Sequence, residues 1–304
     1  MKEGFLLVGD YSAFEKEMEM SKQLFSKLDI DVRLVDFNDV NVVASDNPDG
    51  KVYIKGEEVD CPDFVFVVTV DERDDYKFRA VLRMFETLGV NCINTVDAIE
   101  KAGDKIYSFQ IANQFVPGIK MPKTILISPD VSLDMIEEQI GFPLVLKIMD
   151  GNQGKGVTLI DSREELKNIL NIINANEFGQ ELMVQEAILS SKGRDIRVVV
   201  GAGEVIHSFV RYNDKDFKSN LHQGGSLETF NAPQSLIDES IKLADAFGLK
   251  YGSIDYLFGE SEDEFYLCEV NSVPGTTYLL NAIAEGDNEI INRALSAIVR
   301  MTQN

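Results

Sequence analysis

The chain has 304 residues, 44% of them hydrophobic, with 29 Lys and Arg against 51 Asp and Glu, a formal charge of −22. That hydrophobic share excludes global disorder, the length allows about two or more structural units at roughly 150 residues each, and so acidic a surface excludes DNA, RNA or anionic lipid as expected partners. The strongest apolar stretch, 64–70, is far short of the ~20 residues that span a bilayer, and the acidic N-terminus does not read as a secretory signal, so a cytoplasmic protein is expected.

From the N-terminus, short apolar runs alternate with stretches of helical period, the pattern of parallel strands joined by crossover helices. Strands are predicted over 5–9, 32–37 and 64–70 and helices over 14–28 and 74–88, with 91–94 closing the unit. The run at 64–70, rich in Val and Phe, suits a buried central strand. A turn at 46–50 and a short hairpin of 51–54 with 57–59 interrupt this order. From 96 to 114 the chain reads as helix, until Pro117, Gly118 and Pro122 break it. Strands at 124–127, 144–149, 157–160 and 182–185, with helices at 132–140 and 163–174, make an α+β group. A hairpin of 195–200 with 204–211, a helix at 233–247, paired strands at 252–258 and 265–271, and a helix at 288–301 make another. The predicted class is α/β followed by α+β, with units at 1–95, 96–185 and 186–304.

Several clusters carry chemistry. Asp150 is followed by Gly151, Gly154 and Gly156, and so many glycines let backbone amides approach phosphate oxygens, although a surface hairpin would look the same. Neither the dinucleotide fingerprint nor the P-loop fits this spacing, since Val157 and Thr158 stand where a P-loop needs Lys and then Ser or Thr. Just before it, Lys147 lies in an otherwise apolar strand, where an ammonium needs an anionic partner unless it snorkels at a sheet edge.

Residues two apart on a strand share a face, so Glu269 and Asn271 project together while Cys268 and Val270 are expected in the core. Asp255, on the neighbouring strand, can add a third oxygen. Two carboxylates and a carboxamide suit Mg²⁺, which completes its octahedron with water and phosphate oxygens; a polar network at a strand end is the plain alternative. Gln185 and Glu186 end a strand shortly before Asp195 opens the next, an arrangement that can read an adenine edge and hold ribose hydroxyls. The segment 211–225 is dense in polar side chains without periodicity and reads as a site loop or a solvated one. Cys61, Cys92 and Cys268 fit no disulfide or metal spacing with His207 or His222, so reduced core thiols are expected.

Taken in order, these motifs resemble the ATP-grasp superfamily and, within it, the RimK-type (alpha-L-glutamate ligase-like) carboxylate–amine ligases. The likeness runs from Asn94 to Leu280 and rests on the Asn94 segment, Asp104 with Lys105, residues 121–124, Lys147 with the glycine loop, residues 184–186, residues 193–197, residues 217–222 with Gly224 and Gly225, Asp255, and residues 269–275. It implies the ATP-grasp fold: an N-terminal parallel-sheet domain preceding two α+β subdomains that clamp ATP. By the same resemblance Lys105 and Lys147 reach the phosphates under the loop carrying Gly151, Gly154 and Gly156. Gln185, Glu186 and Ala187 match the hinge beside adenine, Asp195 the ribose-side acid, and Lys218, Ser219 and Asn220 another nucleotide-contacting stretch. Asp255, Glu269 and Asn271 match the ligands of Mg²⁺, or of Mn²⁺ in its place, and Arg211 is the candidate for stabilising the acyl phosphate or the tetrahedral species.

The implied reaction phosphorylates a carboxylate from ATP and lets an amine displace the phosphate. Its partners would be a small-molecule amino acid such as glutamate and an acceptor that is a carboxylate, a peptide or a protein C-terminus. A homo-oligomer is compatible with the sequence. Lys218 and Gln223 stand where related ligases often carry arginine, which leaves the acceptor open. A nucleotide-binding regulatory module without catalysis and a carboxylate kinase are the competing readings.

Overall fold

The computed structural model describes residues 2–9, 15–43, 51–68, 75–128, 130–149, 156–175, 181–213 and 226–303. The expected turn at 46–50, Gly151, Gly154, Lys218, Ser219 and Asn220 lie outside these residues.

The chain opens with β1 (Lys2–Val8), α1 (Glu15–Ser26) and β2 (Ile30–Asp36). There follow β3 (Val40–Val43), β4 (Lys51–Ile54) and β5 (Glu57–Val59), then β6 (Phe64–Val67), α2 (Asp75–Thr87) and β7 (Asn91–Ile93). Strands β2, β1, β6 and β7 form a parallel sheet in that order, and β3, β4 and β5 a small antiparallel one. Both faces of the parallel sheet are covered, which is why its strands read as continuous apolar runs. Phe5, Leu7 and Val65 face a core shared with α2, whereas Leu6 and Phe64 face the C-terminal part of the chain.

Next come α3 (Val96–Gly103) and α4 (Lys105–Phe115). The sequence reads as one helix here; the structure breaks it at Asp104, whose carboxylate accepts from the backbone N–H groups of Ile106 and Tyr107 and so caps α4. After β8 (Thr124–Ile127) and α5 (Leu133–Gln139) come β9 (Leu144–Ile148), β10 (Val157–Ile160), α6 (Arg163–Ala175) and β11 (Leu182–Glu186). These strands make an antiparallel sheet in the order β10, β9, β11, β8. Helices α5 and α6 cover the face bearing Leu144, Leu146 and Val184. Val145, Lys147 and Gln185, of opposite parity, point to the other face.

A larger antiparallel sheet follows, built from β12 (Arg194–Gly201), β13 (Glu204–Tyr212), β14 (Ser226–Thr229), and, after α7 (Gln234–Phe247), β15 (Tyr251–Phe258) and β16 (Phe265–Asn271). Its order is β14, β13, β12, β15, β16. The chain ends in α8 (Thr277–Glu285) and α9 (Asn288–Thr302). β3, β14 and α8 are elements that the apolar pattern leaves unmarked.

One face of this sheet packs Ile196, Val198, Val210, Ile254, Leu267 and Val270 against α7. Residues Ala98, Ala102, Ile111 and Ala112 of α3 and α4 join the same core, so these helices pack with the last sheet although they precede β8 in the chain. The other face is divided. At one end Val199, Phe209 and Tyr251 pack with α8, α9 and the parallel sheet. The remaining end carries charged side chains. Among the described residues, no helix is long and apolar enough to cross a membrane.

Two expectations about cysteine are corrected. Cys61 is exposed, not in the core. Cys268 is also not a core residue: the β15–β16 register pairs Asp255 with Glu269 but Tyr256 with Leu267, leaving Cys268 as the extra residue of a bulge. Leu267 and Val270, three apart, both reach the core, and Cys268 turns away from them.

Candidate active site

Strand parity places Asp195 and Arg197 of β12, Arg211 of β13 and Asp255 of β15 on one face, with Arg197 directly opposite Asp255 and Asp195 opposite Arg211. The side chains use this register. Arg211 donates from Nε and Nη2 to the two oxygens of Asp195, both at 2.6 Å, and from Nη2 to Asp255 Oδ2 at 2.8 Å. Arg197 donates to Asp255 through Nε at 2.7 Å and Nη2 at 2.6 Å, a second bidentate fork. Glu269 lies opposite Asp255 in the register, and Asn271 Nδ2 reaches Asp255 Oδ2 at 3.3 Å.

Asp255 is 1% exposed and Arg211 7% exposed, so the charges must balance one another. Burial pushes the Asp255 carboxyl up, but Arg197 and Arg211 outweigh it and hold it below its ordinary value. Burial alone would favour neutral Arg211; Asp255 and Asp195 reverse this and keep it charged. Arg197 has no role among the sequence expectations, yet it stands two residues after Asp195 on the same strand, and that spacing alone puts the two on one face.

The lysines come from other elements. Lys147 donates from Nζ to Gln185 Oε1 at 2.7 Å, and Gln185, 2% exposed, donates in turn to Thr124 Oγ1 at 2.8 Å. Among the described residues the hydrogen-bond partner of this lysine is a carboxamide. Lys105, the first residue of α4, donates to the carbonyl of Met149 at 3.0 Å, two residues beyond Lys147. The capped helix start thus delivers one lysine to the strand end that carries the other. Gly156 closes the turn into β10 at φ 73°, a left-handed conformation that favours glycine, and a Cβ there would meet Ile148 at 3.0 Å. At the end of β11, Glu186 exchanges bonds with Lys123: its N–H donates to the Lys123 carbonyl at 2.8 Å, and its Oε2 accepts from the Lys123 N–H at 3.2 Å. Ala187, half-buried, follows directly.

Cys268 joins the two groups. Burial pushes its thiol up to about 12; Lys147 pulls it down, and Glu269, Asp195 and Asp255 push it up further. Lys147 of β9, Asp195 of β12, Asp255 of β15 and Glu269 of β16 thus all act electrostatically on this one bulged residue. Asp255, Glu269 and Asn271 offer hard oxygen donors on adjacent strands, which fits a divalent cation of the Mg²⁺ type that takes its remaining ligands from phosphates and water. Among the described residues no group of three His, Cys, Asp or Glu could hold a metal, so a cation here depends on the carboxamide and on a ligand of its own.

Known proteins show the same arrangement of chain. A family model for the RimK-like ATP-grasp domain matches residues 102–293. The proteins named probable alpha-L-glutamate ligase from Maridesulfovibrio salexigens and Hydrogenovibrio crunogenus are 34% and 33% identical over 235 residues, which is 77% of this chain and 75% of theirs. Among solved structures, the ATP-grasp ligase PsnB complexed with a phosphomimetic variant of its minimal precursor, Mg and ADP superposes with a TM-score of 0.73 at 16% identity, covering 98% of both chains. D-alanine–D-alanine ligase from Bacillus anthracis complexed with ATP gives 0.66 at 18% identity, covering 100% of this chain and 99% of its own. Likeness at these identities concerns the fold, and the fold is ATP-grasp. The sequence relatives and the family match carry the assignment further: this chain belongs to the RimK-like ATP-grasp family and is a ligase of that family, an enzyme that uses ATP to join a carboxylate to an amine.

Proposed function

We propose that this ligase attaches an amino acid, glutamate being the first candidate, to a carboxylate acceptor through an acyl phosphate. The amino acid is suggested by relatives named alpha-L-glutamate ligase; a peptide or protein C-terminus as acceptor is suggested by related folds solved with precursor peptides. The observation that carries the reading is the single sheet face on which Asp195, Asp255, Glu269 and Asn271 gather with two guanidinium groups, together with Lys105 bonded at the end of the strand that bears Lys147, since phosphoryl transfer needs both cationic groups and metal-binding oxygens.

In this reading Lys105 and Lys147 neutralise nucleotide phosphates, and Gly156, with Gly151 and Gly154 of the same loop, lets backbone amides approach them. Gln185, Glu186 and Ala187 lie at the adenine hinge, Asp195 serves the ribose side, and Lys218, Ser219 and Asn220 add nucleotide contacts. Asp255, Glu269 and Asn271 hold Mg²⁺, with Mn²⁺ as a substitute. When bound, the cation supplies charge neutralisation for the transferring phosphoryl group. Arg211, rigidly forked to Asp195, presents fixed positive charge to the oxyanion that forms as the amine attacks. A closed cleft would keep water from the acyl phosphate. The units 1–95, 96–185 and 186–304 are proposed as the N-terminal domain and the two halves of the clamp, with α3 and α4 at the start of the second unit packing on the third.

The test is product analysis. Purified protein with Mg²⁺ and ATP is offered paired pools of carboxylates and amines, glutamate among them, and products are read by mass spectrometry alongside ADP. An amide whose formation requires both substrates, and which is lost in Asp255→Asn, is the expected result. ADP release with a carboxylate alone, trapped by hydroxylamine, would make the protein a carboxylate kinase. Nucleotide binding without either product would make it a regulatory module.

A further inference from the structure

The carboxylate of Asp255 is crowded in a way that its metal-binding role does not require. A carboxylate offers about four acceptor positions, and Asp255 receives four donors: Arg197 Nε on Oδ1, and Arg197 Nη2, Arg211 Nη2 and Asn271 Nδ2 on Oδ2. Three of these sit on Oδ2, the oxygen that Asn271 reaches. A cation entering between Asp255 and Asn271 must displace a donor there. Arg211 is held independently by its fork to Asp195 and is the more buried of the two guanidinium groups, with its side chain 9% exposed against 14% for Arg197. Arg197 is the group that can leave.

We infer that Arg197 is a positioning residue that holds the place of the metal: its guanidinium neutralises Asp255 until a divalent cation arrives, and then exchanges Asp255 for the phosphate oxygens of the nucleotide. This rests on the assignment of Asp255, Glu269 and Asn271 as cation ligands. Asp195 and Asp255 are each already forked by a guanidinium group, and of the proposed ligands only Glu269 brings a carboxylate from outside these forks, so a free cation gains little there. A nucleotide changes the balance, because its phosphates offer Arg197 a new anionic partner of the same bidentate geometry. The arginine thus couples the two ligands, and the cation binds well only in company with the nucleotide.

Binding of Mn²⁺, followed by the electron paramagnetic resonance of the free ion, tests this without catalysis. In the absence of nucleotide, Arg197→Gln should bind Mn²⁺ roughly tenfold or more tightly than wild type, the equivalent of one charge-assisted hydrogen bond. Saturating ADP should tighten Mn²⁺ binding strongly in wild type and much less in Arg197→Gln. Equal or weaker Mn²⁺ binding by a folded Arg197→Gln, or an undiminished effect of ADP, overturns the inference while leaving the metal site itself standing. Mn²⁺ binding that survives Asp255→Asn overturns both. In wild-type protein, the Arg197 Nε–H resonance, identified by its loss in Arg197→Lys, should shift when Mg²⁺ and ADP are added together; an unmoved resonance with the ligands bound overturns the inference even if the glutamine variant does not fold.

Discussion

Cys92 and Cys268 show how one residue type reads its surroundings. Burial pushes the Cys92 thiol up to about 12, assisted by Glu86 and opposed by Lys250. Burial takes Cys268 to a similar value, with Lys147 pulling it down and Glu269, Asp195 and Asp255 pushing it up. A raised thiol means that the folded state holds its proton more tightly than the unfolded chain. The stabilisation is complete below the unfolded value of about 8.5 and is lost as pH rises from there towards 12. Cys92 is 2% exposed, so its contribution is little screened. The difference in unfolding free energy between wild type and Cys92→Ala should narrow by ~1.4 kcal/mol per pH unit above pH ~9. Urea titrations at pH 8, 9 and 10 measure it, and a pH-independent difference would refute the assignment.

At the scale of elements, the start of α4 is the sharpest case of local chemistry setting a functional position. Asp104 ends α3 and caps α4, so that Lys105 leaves the helix at its first turn and meets the Met149 carbonyl. Removal of such a cap costs ~1 kcal/mol. Asp104→Ala should therefore lower stability by that amount and also weaken nucleotide binding, because the lysine loses its fixed origin. Ser132→Ala, which removes the cap of α5 on the sheet face opposite Lys147, is the control: it should cost similar stability and leave nucleotide affinity unchanged. Thermal denaturation with nucleotide titration on both variants decides the point. The bulge in β16 works at the same scale. One extra residue at Cys268 restores Glu269 to the face of Asp255 while keeping both Leu267 and Val270 in the core.

For the molecule as a whole, Asn94 is the joint between the parallel sheet and the site. It is 1% exposed; its Nδ2 donates to the carbonyls of Tyr251 and Ser272, and its Oδ1 accepts from the N–H groups of Lys250 and Tyr251. These partners bracket the strands bearing Asp255 and Asn271, and Lys250 Nζ also bonds Asn91 in β7. Asn94→Ala would take this partner from four backbone groups, two of the bonds buried and two half-buried, with an expected loss of ~2–4 kcal/mol in urea unfolding. A loss below 1 kcal/mol would show the joint to be redundant.

Much of this was readable from the letters. Periods of 2 and 3.6 locate most strands and helices, and Lys147, Asp255, Glu269 and Asn271 stand out because a polar residue in an apolar strand is conspicuous and parity states which face it takes. β14, with half-exposed and exposed positions, and the short β3 lack that contrast and go unmarked. Parity also misplaces Cys268, since a bulge shifts it by one. The residues and the order of the motifs alone determined the class of fold and the family of ligase. Only the tertiary structure decided that β12 lies between β13 and β15, that Arg197 therefore closes on Asp255, and that α3 and α4 pack with the last sheet. The reason is physical: periodicity reports the side to which a residue points, whereas the neighbour it meets there is set by strand pairing between distant segments, a property of the whole chain's packing.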